Sequence, residues 1–377
     1  MLRPAILPAY ASSGARILGR RLRGPRRFSG DAVEICRGIV QACWTGDYLA
    51  ASGGHFRQFW TRDLGFSAPS LIRLGRGARV EASLAWALDA WAPRGMVTTT
   101  IFAARRPADV YTFGVDSLPM LLATLEAAGA DALVDRHGHW LGAEVRRYGE
   151  VVVDPRTGLV CDERRFSTHR DTVRTASNAY ANAMVVALDG VLSRTQWFPS
   201  PIPPRAMERF VEHFWRDDHF AERQDRDEVT GDGNLFPFWL GSVPDSLGLL
   251  PALRAMQQAG LTQPLPLRYA ARRNRAAEDP MQRLFVPDYQ GTAIWTSLGG
   301  MYAALLRRAD PVEADAVLAR YASLIERDGT LWEVLTNDLR PYRGRLGLFV
   351  SDEAMLWAAI LLEEFEAHGT GRPDGAD

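Results

Sequence analysis

Phe59-Trp60-Thr61-Arg62-Asp63 runs directly into an apolar stretch, Leu64 to Leu74, that stops at Gly75. The apolar spacing predicts a helix, and Gly75 and Gly77 split it from a second one, Val80 to Trp91. A polar-aromatic segment, a helix and a glycine turn with a partner helix make one unit. Gly114-Val115-Asp116-Ser117 opens a second unit: Ser117 to Ala128 is apolar on most sides, ends at Gly129 and is followed by a partner from Ala130 to Tyr148.

The pattern continues in both directions. Asp31 to Trp44 carries Val33, Ile35, Cys36, Ile39 and Val40 as one stripe. Further helices are expected from about Thr172 to Leu192, Arg205 to Trp215, Val243 to Gln258, Thr292 to Arg307, Val312 to Glu326 and Ser351 to Glu366. Gly231-Asp232-Gly233-Asn234 reads as turn chemistry. Val151-Val152-Val153 and Leu159-Val160 flank a Pro/Gly turn and predict a small β-hairpin near 150–162. The pattern amounts to about twelve helices joined mostly by short loops. Several are apolar nearly all round, as inner helices covered by an outer layer must be. Pro199-Ser200-Pro201-Ile202-Pro203-Pro204 is a stiff connector that could divide two helical domains. One closed unit is preferred, because the chemistry-bearing segments fall on both sides of it.

Composition removes several classes of function. The chain has 377 residues and a net charge of −1, so no basic field draws nucleic acid. All 44 basic residues are arginine, which excludes a lysine Schiff base, a pyridoxal-phosphate anchor and a P-loop lysine. Cys36, Cys43 and Cys161 form no CxxC pair and point to a reducing compartment. His213 and His219 have no common zinc spacing, and no metal or organic cofactor is expected. No apolar run approaches the ~20 residues that span a bilayer. Residues 1–30 hold seven arginines and no acid, which reads as a flexible basic segment or an organelle-type leader. A cytoplasmic location is expected, with organelle targeting as the alternative. Residues 31–368 are expected to form one catalytic domain, and 369–377 a disordered tail.

The chemistry rests on carboxylates set beside aromatic residues. Asp116 precedes a helix with Pro119 in its first turn, so it reads either as a helix cap or as a general acid kept protonated by Phe113, Val115 and Leu118. Glu333, beside Trp332 and before the loop from Thr336 to Gly347, reads either as a solvated side chain or as a general base. Trp332 would then be a sugar platform. Asp63 would accept sugar hydroxyls with Arg62 positioning it, and Trp60 beside them. Tyr289, Gln290 and Trp295 form a further candidate wall. Two separated carboxylates suffice for acid/base cleavage of a glycosidic bond.

Together these segments resemble the six-hairpin glycosidase superfamily, in particular its amylo-α-1,6-glucosidase, α-glucosidase and neutral/alkaline invertase branches. Phe59 to Asp63 with Ser67-Ala68-Pro69-Ser70-Leu71 and Gly75 is similar to the family's Arg-Asp segment. Gly114 to Ser117 resembles the acid segment, Leu331-Trp332-Glu333 with the helix containing Trp357-Ala358-Ala359 the base segment, and Tyr289 to Trp295 a helix start. Asp338 and Arg340 depart from the sucrose-cleaving pattern.

The resemblance implies an all-α (α/α)6 barrel, a six-hairpin toroid. It also implies an inverting glycoside hydrolase acting on a small α-glucoside or oligosaccharide, with Asp116 as acid and Glu333 as base. The alternatives are a phosphorylase, epimerase or lyase on the same barrel, or a non-catalytic sugar-binding scaffold. His169-Arg170 is the adjacent pair that a phosphate pocket would use.

Overall fold

The computed structural model describes residues 16, 19–20, 22–110, 112–171, 177–345, 347 and 349–368. Most of the basic leader (1–15, 17–18 and 21) and the tail 369–377 lie outside the described residues, as do residues 172–176, where a helix start was expected.

Six helix pairs carry the fold. They are α1 (Ala32–Cys43), α2 (Thr61–Leu71), α3 (Gly77–Trp91), α4 (Ser117–Ala127), α5 (Asp131–Val152), α6 (Ala179–Thr195), α7 (Ala206–Phe214), α8 (Gly231–Trp239), α9 (Leu249–Gln258), α10 (Thr296–Ala309), α11 (Pro311–Asp328) and α12 (Ala358–His368). The even-numbered helices form an inner ring. Each packs on the next, α2 on α4, α4 on α6, α6 on α8, α8 on α10 and α10 on α12, and α12 returns to α2. The odd-numbered helices cover them: α3 on α2, α5 on α4, α7 on α6, α9 on α8 and α10, α11 on α10, and α1 on α12 and α11. This is an all-α (α/α)6 arrangement.

The sequence explains the two layers. α1 buries Ile35, Cys36, Ile39, Val40 and Cys43, a single stripe, and Asp31 caps it with Glu34 in a reciprocal capping box. α11 likewise buries Ala314, Val317, Leu318, Tyr321, Leu324 and Ile325. Inner helices are buried all round: α6 buries a continuous run from Ala179 to Leu188, rich in alanine. Small residues let the ring close tightly. A Cβ on Gly299 of α10 would lie 2.5 Å from the Pro266 carbonyl oxygen.

Gly75 (φ 71°), Gly129 (φ 61°) and Gly329 (φ 62°) turn the chain at three helix ends in the left-handed region that glycine adopts freely. The strand content is small. β1 (Phe59–Trp60), β2 (Thr100–Phe102) and β3 (Arg106–Ala108) form an antiparallel trio. β4 (Ala221–Arg223) pairs with β5 (Arg226–Val229), and β6 (Ile294–Trp295) with β7 (Val334–Leu335).

Three local expectations shift. The small hairpin near 150–162 is a single antiparallel bridge, Val153 to Val160, because Val151 and Val152 complete the last turn of α5. Gly231-Asp232-Gly233-Asn234 is not a turn but the first turn of inner helix α8. A Cβ on Gly231 would lie 2.2 Å from the Arg268 carbonyl oxygen, so its glycine serves a close approach of backbones. The last inner helix begins at Ala358, not Ser351, because Ser351, Asp352 and Glu353 form an extended segment that bonds Glu333, His55 and Phe56.

Candidate active site

The residues just before or at the starts of the inner helices converge on one cavity of about 580 Å³. Trp60, Arg62 and Asp63 come from the start of α2, His169 and Asp171 from the loop before α6, and Tyr289, Gln290 and Trp295 from the approach to α10. Glu333 and Trp357 come from the approach to α12. The volume is that of a small-ligand site.

Glu333 is set by backbone pairing. β7 places its neighbour Val334 against Trp295, and its own backbone N–H donates to the Asp352 carbonyl at 2.8 Å. The Thr296 hydroxyl donates to the Trp332 carbonyl at 2.6 Å and receives the Trp357 indole N–H at 2.8 Å. Both carboxylate oxygens are addressed. Tyr289 donates its hydroxyl to Oε1, and the Asp352 backbone N–H donates to Oε2 at 3.2 Å. Burial pushes the Glu333 carboxyl up to about 7; the nearby Asp352 charge adds to that, while the Tyr289 bond and His55 oppose it.

His55, also on the cavity wall, has Nδ1 2.8 Å from Asp352 Oδ1. Asp352 further accepts from the Ser52 hydroxyl at 2.5 Å and from the backbone N–H groups of His55 and Phe56 at 2.9 and 2.8 Å. Burial opposes its ionisation, but His55, Arg20 and these bonds hold the carboxyl below its ordinary range.

On another wall, three aspartates surround Arg62. Nη2 lies 2.8 Å from Asp171 Oδ2, and Nη1 3.5 Å from Asp116 Oδ2. Arg62 also donates to the Thr168 carbonyl, and Ser167 donates to Asp171. Burial pushes the Asp63 carboxyl up to about 7 against the pull of Arg62. Burial raises Asp116 too, while Arg62 and the Tyr180 hydroxyl, which donates to Oδ2 at 2.7 Å, work the other way. Three carboxylates around one guanidinium carry more negative charge than it can balance, which favours a bound proton.

Not every sequence candidate reaches the cavity. Trp60, Arg62, Asp63, Tyr289, Gln290, Trp295 and Glu333 line it together. Asp116 does not; it is fully buried behind Arg62, and its side chain makes no cap bond to α4. Trp332 does not line it either. Its indole N–H donates to Asp328 at 2.9 Å, and Arg20 stacks over its ring. The Arg170 guanidinium bonds Asp232 and Glu222, each at 2.9 Å, and ties the β4–α8 region to the loop before α6. His169 lines the cavity with Nδ1 2.7 Å from the Tyr269 hydroxyl; burial, then Arg62 and Arg170, hold it well below its ordinary value and keep it neutral.

Sequence reading missed Asp171, although His169-Arg170-Asp171 repeats the Arg62-Asp63 pairing before an inner helix. It also missed His55, Phe56, Gln58 and Phe349 on the wall. Among the described residues, no group of three or more His, Cys, Asp or Glu side chains is placed to hold a metal ion, and no helix is long and apolar enough to cross a membrane.

No protein-family model and no curated protein matches the chain in sequence. Solved structures match its architecture. A glycosidase variant in complex with glucose superposes with a TM-score of 0.63 at 15% identity, covering 89% of this chain and 96% of that one. A rhamnosidase from Klebsiella oxytoca with rhamnose bound gives 0.61 at 14% identity, over 92% of this chain and 66% of that one. The GH63 mannosylglycerate hydrolase from Thermus thermophilus, in complex with Tris and D-glycerate, gives 0.57 at 15%, over 89% and 100%. The fold is that of the six-hairpin glycosidases. At 14–15% identity the likeness is one of fold.

Proposed function

We propose that this chain is a glycoside hydrolase that works by inversion on a small α-glucoside or oligosaccharide, with Glu333 as the general base. The observation that carries the reading is the setting of Glu333. It is a buried cavity-wall carboxyl pushed up to about 7, with one oxygen bonded by Tyr289 and the other by a backbone N–H. A base with that affinity for protons is matched to activating water near neutral pH. The solved structures of this architecture include sugar-bound glycosidases, which supports a carbohydrate substrate.

Trp60, Tyr289, Trp295 and Trp357 give the cavity aromatic faces for the C–H side of a sugar, while Gln290 and Asp63 offer hydroxyl partners. The acid in this reading is Asp116, whose burial favours the protonated form an acid must start from, reached past the Arg62 side chain. A second reading gives the acid role to Asp171. It is favoured because Asp171 lines the cavity where Asp116 does not, and because its loop leads into α6, opposite α12 in the ring order.

Phosphorolysis gains no support from His169-Arg170: His169 is held neutral, and the Arg170 guanidinium is engaged by two buried carboxylates. The test is a screen of α-glucosides and short oligosaccharides in phosphate-free buffer. Sugar release that Glu333→Gln abolishes is the expected result. Release only with phosphate, or ligand-induced stabilisation without turnover on any glycoside, would replace the proposal.

A further inference from the structure

Beside the candidate active-site cavity lies a second cleft of about 390 Å³, lined by Arg273, Arg275, Pro280, Arg283, Leu284 and Arg345. Four of its six lining residues are arginines. Arg273 is neutralised by Glu278, whose two oxygens it meets at 2.6 and 2.7 Å. Among the described residues no carboxylate pairs with Arg275, Arg283 or Arg345. Arg283 contacts the Arg275 carbonyl oxygen at 3.5 Å, so its side chain is turned toward Arg275.

The cleft and the cavity share a wall. The short helix Pro280–Phe285 sends Arg283 and Leu284 into the cleft, while Gln282 and Phe285 line the cavity. The Arg345 backbone N–H donates to the Phe285 carbonyl at 3.1 Å, and Gly344 donates to Phe349, another cavity residue, at 2.9 Å. Phe285 and Phe349 thus join the wall of the cavity to that of the cleft.

We infer that Arg275, Arg283 and Arg345 form an anion subsite that selects substrates carrying a carboxylate or phosphate beside the sugar held in the cavity. Three guanidinium forks in one concave surface, with no carboxylate on any of them among the described residues, are a local field and a bidentate partner for an oxyanion in a chain of net charge −1. The inference deepens the glycosidase reading and rests on it for the sugar; the cleft's affinity for an anion stands apart from it.

Calorimetry separates the two. Maltose, maltobionate and maltose 1-phosphate are titrated into the full chain and into Arg275→Ser/Arg283→Ser/Arg345→Ser, with inorganic pyrophosphate as a sugar-free probe. The anionic disaccharides should bind at least about tenfold more tightly than maltose at low salt. That preference should vanish in the triple variant and weaken at high salt, while the variant hydrolyses a neutral aryl α-glucoside as the parent does. The tighter of the two identifies carboxylate or phosphate. Pyrophosphate bound by the parent and lost in the triple variant supports the cleft even if no maltose derivative binds. Equal affinity for all three disaccharides, or pyrophosphate binding unchanged by the triple substitution, overturns the inference.

Discussion

The Tyr289 hydroxyl donates to Oε1 of Glu333, and this one bond links the wall before α10 to the carboxyl before α12. It stabilises the carboxylate form and so restrains a carboxyl that burial pushes up to about 7. Tyr289→Phe should let Glu333 bind its proton more tightly still. The acidic limb of kcat/KM against pH should then move to higher pH, with activity at neutral pH lowered about tenfold. A limb that stays in place or moves down would separate Tyr289 from the base.

Glu333→Gln should reduce turnover by ~10²–10⁴-fold without unfolding the protein. Its effect on stability has a sign. A carboxyl raised from 4.5 to about 7 in the fold binds more protons folded than unfolded across that interval. The parent therefore loses stability as pH rises through it, by roughly 3 kcal/mol at most. The glutamine variant carries no such loss, so it should melt higher than the parent at pH 8 and by a smaller margin at pH 5. Thermal melts at the two pH values decide this.

Leaving-group dependence tells the acid apart from the base. An acid variant should keep much of its rate on a dinitrophenyl glucoside, which departs without protonation, and lose it on a methyl glucoside. A base variant should lose both. Asp116→Asn is expected to show the acid pattern. If Asp171→Asn shows it and Asp116→Asn does not, the role passes to Asp171.

Arg170→Met leaves Asp232 buried without its cation and Glu222 with only the more distant Arg226, at 3.9 Å. Loss of about 3–5 kcal/mol of stability is expected, measured by denaturant titration. A change below ~1 kcal/mol would mean that the triad does not hold α8 in the ring.

Much of the ring was legible because its physics is local. Apolar stripes at helical spacing marked α1 and α11, and Gly129 marked the end of α4. α8 was hidden because Gly231 and Gly233 carry the chemistry of a turn, whereas Gly231 answers a backbone approach from Arg268 that only the folded chain contains. The two-residue strands β1, β6 and β7 are too short to show alternation.

In the site, most of the polar-aromatic segments meet at one cavity, yet Trp332 does not line it. Successive side chains in an extended segment point to opposite faces. With Glu333 turned to the cavity, Trp332 turns away, onto Asp328 and Arg20. Trp60→Ala should accordingly raise KM, while Trp332→Phe should leave KM unchanged, as steady-state kinetics on one substrate would register.

Inversion by water activated at Glu333 is tested most directly by proton NMR of the first sugar released from an α-glucoside, recorded before mutarotation. β-Glucose appearing first, and absent with Glu333→Gln, is the expected result. α-Glucose appearing first, or β-glucose released at an undiminished rate by Glu333→Gln, would contradict it.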